Sequence, residues 1–181
     1  MSLRFLVVDD HPLFLEALRL MIRTGHPGAE IAEATSLADA KKQLATDSRF
    51  DLVLLDLAMP GTRGFDGLIE LRTLYPRLPI VIVSAHEDSR IIHEAMSCGA
   101  AGYIAKSVRK DDLAQAIRDV LAGSVTLPRG YVPPTETGRS ARLTEISQRI
   151  ASLTPQQLRV LQMIRQGKLN KQIAHELDVG E

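Results

Sequence analysis

Three acidic side chains stand where chemistry could gather. Asp9 and Asp10 follow the apolar stretch Arg4–Val8, and Asp56 closes the stretch that begins at Leu52. Ser84 ends a further apolar run, Ile80–Val83, and Lys106 follows Gly102–Ala105. Carboxylates brought together repel and raise one another's pKa unless a cation sits among them. Oxygen donors with room for retained water are what Mg2+ prefers, so the three aspartates suggest a cradle for that ion. A carboxylate beside such a metal can act as a nucleophile toward phosphorus. An ammonium and a hydroxyl nearby would neutralise and hydrogen-bond the phosphoryl oxygens. This chemistry requires that four separate places in the chain meet.

Short apolar runs alternating with longer amphipathic ones supply that meeting point. Strands are expected at Arg4–Val8, Glu30–Ala34, Leu52–Asp56, Ile80–Ser84 and Gly102–Ala105. Leu52-Val53-Leu54-Leu55 and Ile80-Val81-Ile82-Val83 are unbroken apolar runs, as in strands covered on both faces of a parallel sheet. Helices are expected between and after them at Leu13–Arg23, Leu37–Ala45, Phe65–Leu74, Ser89–Ser97 and Asp111–Leu121. In the first of these, Leu13, Ala17, Leu20 and Met21 share one face. Ser36 and Asp88 suit N-caps, and Gly25 and Gly99 suit helix stops. Parallel strands need crossovers, so five strand–helix pairs imply a doubly wound α/β domain. Ligands in such sheets bind outside the carboxyl ends of the strands, where all five candidate residues lie.

Beyond Gly123 the character changes. Pro128, Gly130, Pro133, Pro134 and Gly138, among Ser and Thr, read as a linker. Helical periodicity returns at Leu143–Leu153. Thr154-Pro155 starts a helix that runs to about Gln166, and a shorter one spans about Asn170–Leu177. The expected organisation is a domain over 1–123, a linker over 124–142 and a helical segment over 143–181.

Composition sets wider bounds. The chain has 181 residues, 45% of them apolar, enough for an ordinary globular core. Its formal net charge is zero, but residues 1–123 carry 14 basic and 17 acidic side chains, and residues 124–181 carry 8 and 5. An acidic front and mildly basic tail suit a metal or phosphate switch tethered to a nucleic-acid reader. Cys98 is the single cysteine, which excludes an intrachain disulfide and suits a reducing compartment. With no run of membrane-spanning length and no signal-peptide pattern, the expectation is a soluble, cytoplasmic protein with no membrane partner.

The motifs Val7-Val8-Asp9-Asp10-His11, Leu54-Leu55-Asp56-Leu57-Ala58-Met59-Pro60-Gly61, Val83-Ser84-Ala85 and Gly102-Tyr103-Ile104-Ala105-Lys106-Ser107 resemble those of two-component response-regulator receivers. The resemblance covers about 120 residues in order and at the family's spacing. It implies a flavodoxin-like sheet with strand order 2-1-3-4-5, with Asp56 as phosphoacceptor and Mg2+ as cofactor. By the same resemblance Asp10 holds the metal directly, Asp9 through water, and Ala58 through its main-chain carbonyl. Ser84 and Lys106 contact the phosphoryl group, and Tyr103 is the aromatic that swings inward on its arrival. Ser107, where many receivers carry proline, resembles the branch with a four-helix DNA-binding domain.

The tail agrees. Leu153–Leu161 and Gly167–Leu177 are similar to the first two helices of the LuxR/NarL/FixJ-type helix-turn-helix. That family places a recognition helix and a dimerisation helix next, and Glu181 falls where the recognition helix is expected to begin. Lys168 and Lys171 are candidates for contact with DNA backbone phosphates only. The implied partners are a sensor histidine kinase, DNA, and a second copy of the chain on phosphorylation. The implied role is transcriptional control rather than enzymatic turnover.

Each residue has a plainer reading. An Asp-Asp pair after a strand can be a turn or helix cap, Ser84 can simply close a strand, and Lys106 can be a surface lysine. Tyr103 can be ordinary edge-strand packing, His11 and His86 solvated or capping side chains, and Cys98 a small core residue. Five such residues at the strand ends together favour the phosphoryl site. A phosphohydrolase with an aspartyl nucleophile is one rival, although that class carries Asp-x-Asp on its first strand and a substrate cap. A receiver-fold module that works without phosphorylation is the other, although such modules typically lose part of the Asp, Ser and Lys set.

Overall fold

The computed structural model describes residues 2–47 and 49–134. The helices expected at Leu143–Leu153, Thr154–Gln166 and Asn170–Leu177, and the candidates Lys168 and Lys171, lie outside the described residues. Strands and helices alternate as β1 (Arg4–Val8), α1 (Pro12–Gly25), β2 (Glu30–Ala34), α2 (Leu37–Thr46), β3 (Leu52–Leu55), α3 (Asp66–Leu74), β4 (Ile80–Ser84), α4 (Ser89–Ser97), β5 (Gly102–Ala105) and α5 (Lys110–Leu121). All strand pairs are parallel, in the order β2-β1-β3-β4-β5. The flavodoxin-like order implied by the motifs is therefore the order of this sheet.

Successive strand residues point to opposite faces, which splits the core in two. Leu6, Val8, Val53, Leu55, Ile80 and Ile82 pack with Ala40 and Leu44 of α2, Leu68 and Leu71 of α3, and Ile92 and Ala95 of α4. Phe5, Val7, Leu52, Leu54, Val81 and Val83 pack with Leu15, Leu18 and Ile22 of α1 and with Leu113, Ile117 and Val120 of α5. The central strands have no polar face, and that is why their sequences lack alternation.

Helix boundaries follow local chemistry. The Ser36 hydroxyl accepts the Asp39 N–H at 3.2 Å, and the Asp88 carboxylate accepts the Arg90 N–H at 2.8 Å, as N-caps should. Gly25 has a different use from the expected stop. It is the last residue of α1, and a β-carbon there would come within 2.6 Å of the Ala114 Cβ, so its smallness lets α1 close on α5. Gly99, with φ +91°, does follow α4 as a left-handed stop.

The first helix differs from the sequence reading in what it buries. Of the expected face, Leu13, Ala17 and Leu20 are turned to solvent, Leu13 84% and Leu20 66% exposed, while Met21 is half-buried against the core. Leu15, Leu18 and Ile22 are the residues that enter the core. α1 carries apolar residues on two stripes, so helical periodicity could find the helix but could not choose its inner side.

His26, just after α1, stacks edge-on against the buried ring of Phe5, with centroids 5.7 Å apart. Its Nδ1 is buried without a hydrogen-bond partner. Burial first, and the positive charge of Arg118 second, hold its pKa below the ordinary histidine value. The unfolded chain therefore takes up a proton at His26 before the folded one does. Stability from this group is complete above the unfolded histidine pKa of about 6.5 and is lost as pH falls through the lower folded value. Chemical unfolding measured from pH 7.5 down to 5 should show a falling midpoint, and His26→Phe, which keeps the ring stacking, should flatten that fall.

Candidate functional site

The register of the sheet decides where the site forms. Val8 pairs with both Ala34 and Leu55, so the residues that follow β1 and β3 emerge side by side. The backbone continues this alignment past the strands: Asp9 N–H donates to the Ala34 carbonyl at 3.0 Å and Asp56 N–H to the Val8 carbonyl at 2.9 Å. Ser84 pairs with Ala105, and Lys106 N–H donates to the Ser84 carbonyl at 2.8 Å. Four of the five strands thus deliver their ends to one edge.

Asp9 and Asp56 are buried there, 1% and 3% exposed, while Asp10 is half-buried. Lys106 bridges the two buried carboxylates: its Nζ lies 2.6 Å from Asp9 Oδ2 and donates to Asp56 Oδ2 at 3.0 Å. Burial alone would lower the lysine pKa, but the close contacts and negative charges of Asp9 and Asp56 outweigh it and raise it. The Asp9 contact is an ion pair poorly aligned as a hydrogen bond, which leaves acceptor capacity on the buried Asp9 Oδ2 and likewise on Asp10 Oδ1. One ammonium faces three carboxylates. Two like charges about 4 Å apart repel by roughly 4 kcal/mol at an effective dielectric near 20, so a second cation is favoured.

Donor atoms of Asp9, Asp10, His11 and Asp56 lie within 4.8 Å of one another. Buried carboxylates with spare oxygen acceptors fit a hard divalent ion. The His11 imidazole was read from the sequence as solvated or capping. Its ring is exposed, yet Nδ1 lies 3.1 Å from Asp9 Oδ1 and 3.0 Å from Asp10 Oδ1, and its N–H caps Asp9 Oδ1 at 2.9 Å. Ala58 meets Asp56 through its N–H, which donates to Oδ1 at 3.2 Å.

Ser84 is fully buried at the end of β4, and its hydroxyl accepts the His86 N–H at 3.3 Å. Tyr103 already points inward at 1% exposure, with its hydroxyl donating to the His86 carbonyl at 2.7 Å. Burial raises the phenol pKa; a hydrogen bond with Ser84 pulls against it, and the charges of Asp56 and Glu87 push it further up. Sequence reading missed Phe14, in the first turn of α1, whose ring centroid lies 4.5 Å below Lys106 Nζ. An aromatic face beside a half-buried ammonium favours the charged form and steadies it. The only sequence signal was an aromatic five residues past the acidic pair's first member, which alone says nothing about a lysine ninety residues on. Cys98, read as a small packing residue, does pack against the core, and burial followed by the nearby Glu94 charge raises its thiol pKa. That is the opposite of a reactive cysteine.

Removing the lysine would leave two buried carboxylates uncompensated. Lys106→Met is expected to cost on the order of 3 kcal/mol of stability in denaturant unfolding at neutral pH. A divalent cation should recover part of that loss by taking over the charge.

Two family models match the chain. The response regulator receiver domain covers residues 5–118, and the luxR family of bacterial regulatory proteins covers residues 151–181. The glycerol metabolism activator of Pseudomonas putida is 40% identical over 182 residues, spanning 98% of this chain and 82% of that protein. The nitrate/nitrite response regulator NarL of Escherichia coli K12 is 32% identical, spanning 97% and 81%. Among solved structures, a LuxR family DNA-binding response regulator from Silicibacter pomeroyi superposes with a TM-score of 0.61 at 32% identity, covering 72% of this chain and 99% of that one. With a receiver match over most of the described residues and relatives above 30% identity along its length, the chain belongs to the response regulators that join a receiver domain to a LuxR-type helix-turn-helix domain.

Proposed function

We propose that Asp56 accepts a phosphoryl group from a sensor histidine kinase, with Mg2+ as cofactor, and that this controls transcription through the C-terminal helix-turn-helix domain. The observation that carries the proposal is Lys106, held between Asp9 and Asp56 at the C-terminal edge of a parallel sheet. A metal ion held by Asp10, by Asp9 through water, by Asp56 and by the Ala58 carbonyl would supply positive charge to the phosphoryl oxygens. The chain's own residues do the rest. An Asp56 carboxylate oxygen attacks phosphorus, the phosphorus–nitrogen bond of the donor histidine breaks, and the bonding pair leaves with the imidazole. Lys106, already charged and steadied by Phe14, turns from the carboxylate to a phosphoryl oxygen, and the Ser84 hydroxyl donates to another.

The added charge of about −2 draws Ser84 and the loop after it toward Asp56, which biases Tyr103 to its inward position. Residues 1–123 act as the receiver, 124–142 as the linker, and 143–181 as a linker helix and the first part of the helix-turn-helix. Output is a change in domain docking or homodimerisation that presents the helix-turn-helix to a two-fold DNA site, with Lys168 and Lys171 touching only backbone phosphates. The chain works in the cytoplasm and has no turnover of its own on external phosphomonoesters.

Intact mass after incubation with Mg2+ and a small-molecule phosphodonor tests the first step. The parent chain should gain one phosphoryl group, and Asp56→Asn should gain none. A parent chain that binds Mg2+ yet gains nothing would favour a module that works without phosphorylation. Sustained release of phosphate from an added phosphomonoester would favour a hydrolase.

A further inference from the structure

Residues 124–131, which composition assigns to a linker, lie along the free edge of β5. Thr126 forms a parallel bridge with Gly102, and its carbonyl accepts the Tyr103 N–H at 2.9 Å. Gly102 is what admits this approach: a β-carbon there would meet the Thr126 Cγ2 at 2.5 Å and the Thr126 carbonyl oxygen at 3.0 Å. The segment is fastened at both flanks. Ser124 N–H donates to the Asp119 carbonyl at the end of α5, and Arg129 pairs with Asp112 of α5 at 2.6 Å. Tyr131 packs on the core beneath α4, with its hydroxyl 3.4 Å from His93 Nδ1. Met1–Pro133 accordingly forms one compact unit, ten residues longer than the last helix and its turn require.

We infer that residues 124–131 are a strap whose docking on β5 is coupled to the inward position of Tyr103, so that the phosphoryl switch is read by the linker itself. The coupling is direct. Tyr103 donates its side-chain hydroxyl to the His86 carbonyl in the β4–α4 loop and its backbone N–H to the strap. One residue is thus bonded on one side to the loop that follows Ser84 and on the other to the segment leading toward residues 151–181. The groove beside the strap is walled by Tyr103, Glu87 and Ser107 together with Thr126, Leu127 and Arg129. A tyrosine turned out of the core would enter that groove and compete with the strap for it. The inward tyrosine and the docked strap therefore favour each other. Docking also moves the anchor of the following chain from the end of α5 to the far side of β5, shortening the tether to the luxR-type domain by the length of the strap. A shorter tether changes the effective concentration of whatever that domain meets.

This inference rests on the phosphoacceptor reading of Asp56 only for its input, and amide hydrogen exchange at Tyr103 in the full chain separates the two. Exchange at this amide in Gly102→Val should be at least tenfold faster than in the parent, with the central-strand amides of β1 unchanged. If those central amides also quicken, the strap pair Arg129→Ala with Tyr131→Ala decides, because Arg129 is exposed, Tyr131 is only half-buried, and neither belongs to a strand. An unchanged Tyr103 amide in the deciding variant overturns the strap. Phosphorylation, verified by a one-phosphoryl mass gain in the same sample, should slow exchange at Tyr103 several-fold. A mass gain with no change, or with faster exchange, overturns the coupling. Should the mass gain fail to occur, the phosphoacceptor reading fails and Tyr103→Phe and Tyr103→Ala decide the coupling instead. Faster exchange at residue 103 in both supports it, and parent-like exchange in both overturns it.

Discussion

A lysine ammonium held between two buried carboxylates is the contact on which the rest of this domain turns. Asp9 and Asp56 leave water at the price of their hydration, and Lys106 returns part of that through two short contacts and the ring of Phe14 beneath it. The balance stays incomplete, because Asp10 adds a third negative charge and Asp9 Oδ2 keeps acceptor capacity. Such an edge gains from any ligand that adds positive charge and then from any reaction that lets Lys106 exchange a carboxylate for a better anion. Electrostatic tension at the strand ends, rather than a shaped pocket, is the driving force this domain offers a phosphoryl group.

The hydrophobic core makes that tension affordable in structural terms. Strands β1, β3 and β4 are apolar on both faces and packed by helices on each, which fixes their register firmly. Slipping β3 by one residue would turn Leu54 and Leu55 to the wrong faces and carry Asp56 away from Val8. The aspartates therefore do not have to hold themselves together. Backbone bonds from Asp9 to Ala34 and from Asp56 to Val8 hold them, and those bonds follow from packing tens of residues away.

Much of this was legible in the sequence, for reasons that are physical. Unbroken runs such as Leu52–Leu55 have few readings other than a doubly covered strand, and the caps at Ser36 and Asp88 act through neighbours two or three residues on. The strand-end residues could be named because the rule that sites form at carboxyl ends needs only strand positions. What could not be read depends on contacts across long separations. The buried side of α1 is set by where α5 lies, Gly25 serves Ala114, Phe14 serves Lys106, and Gly102 serves Thr126. None of these pairs leaves a local trace. The inward Tyr103 belongs with them, since its place depends on the His86 carbonyl and not on the residues beside it.

Tyr103 also bears on how large a conformational signal the site can send. A ligand shifts an equilibrium only by the difference in its interaction with the two states. The inward tyrosine draws on contacts made by the chain itself: its buried hydroxyl is satisfied by His86, its N–H by Thr126, and its ring by the core around Ile82 and Leu55. A phosphoryl group at Asp56 is then one contributor among several and does not have to supply the whole preference. Changes at either of its two bonds shift the balance between its inward and outward positions. A switch built this way responds to events at the linker as well as at the aspartate, because linkage between two sites acts in both directions. Whatever holds the linker against β5 would then, to the same extent, favour the inward Tyr103 and its bond to the His86 carbonyl.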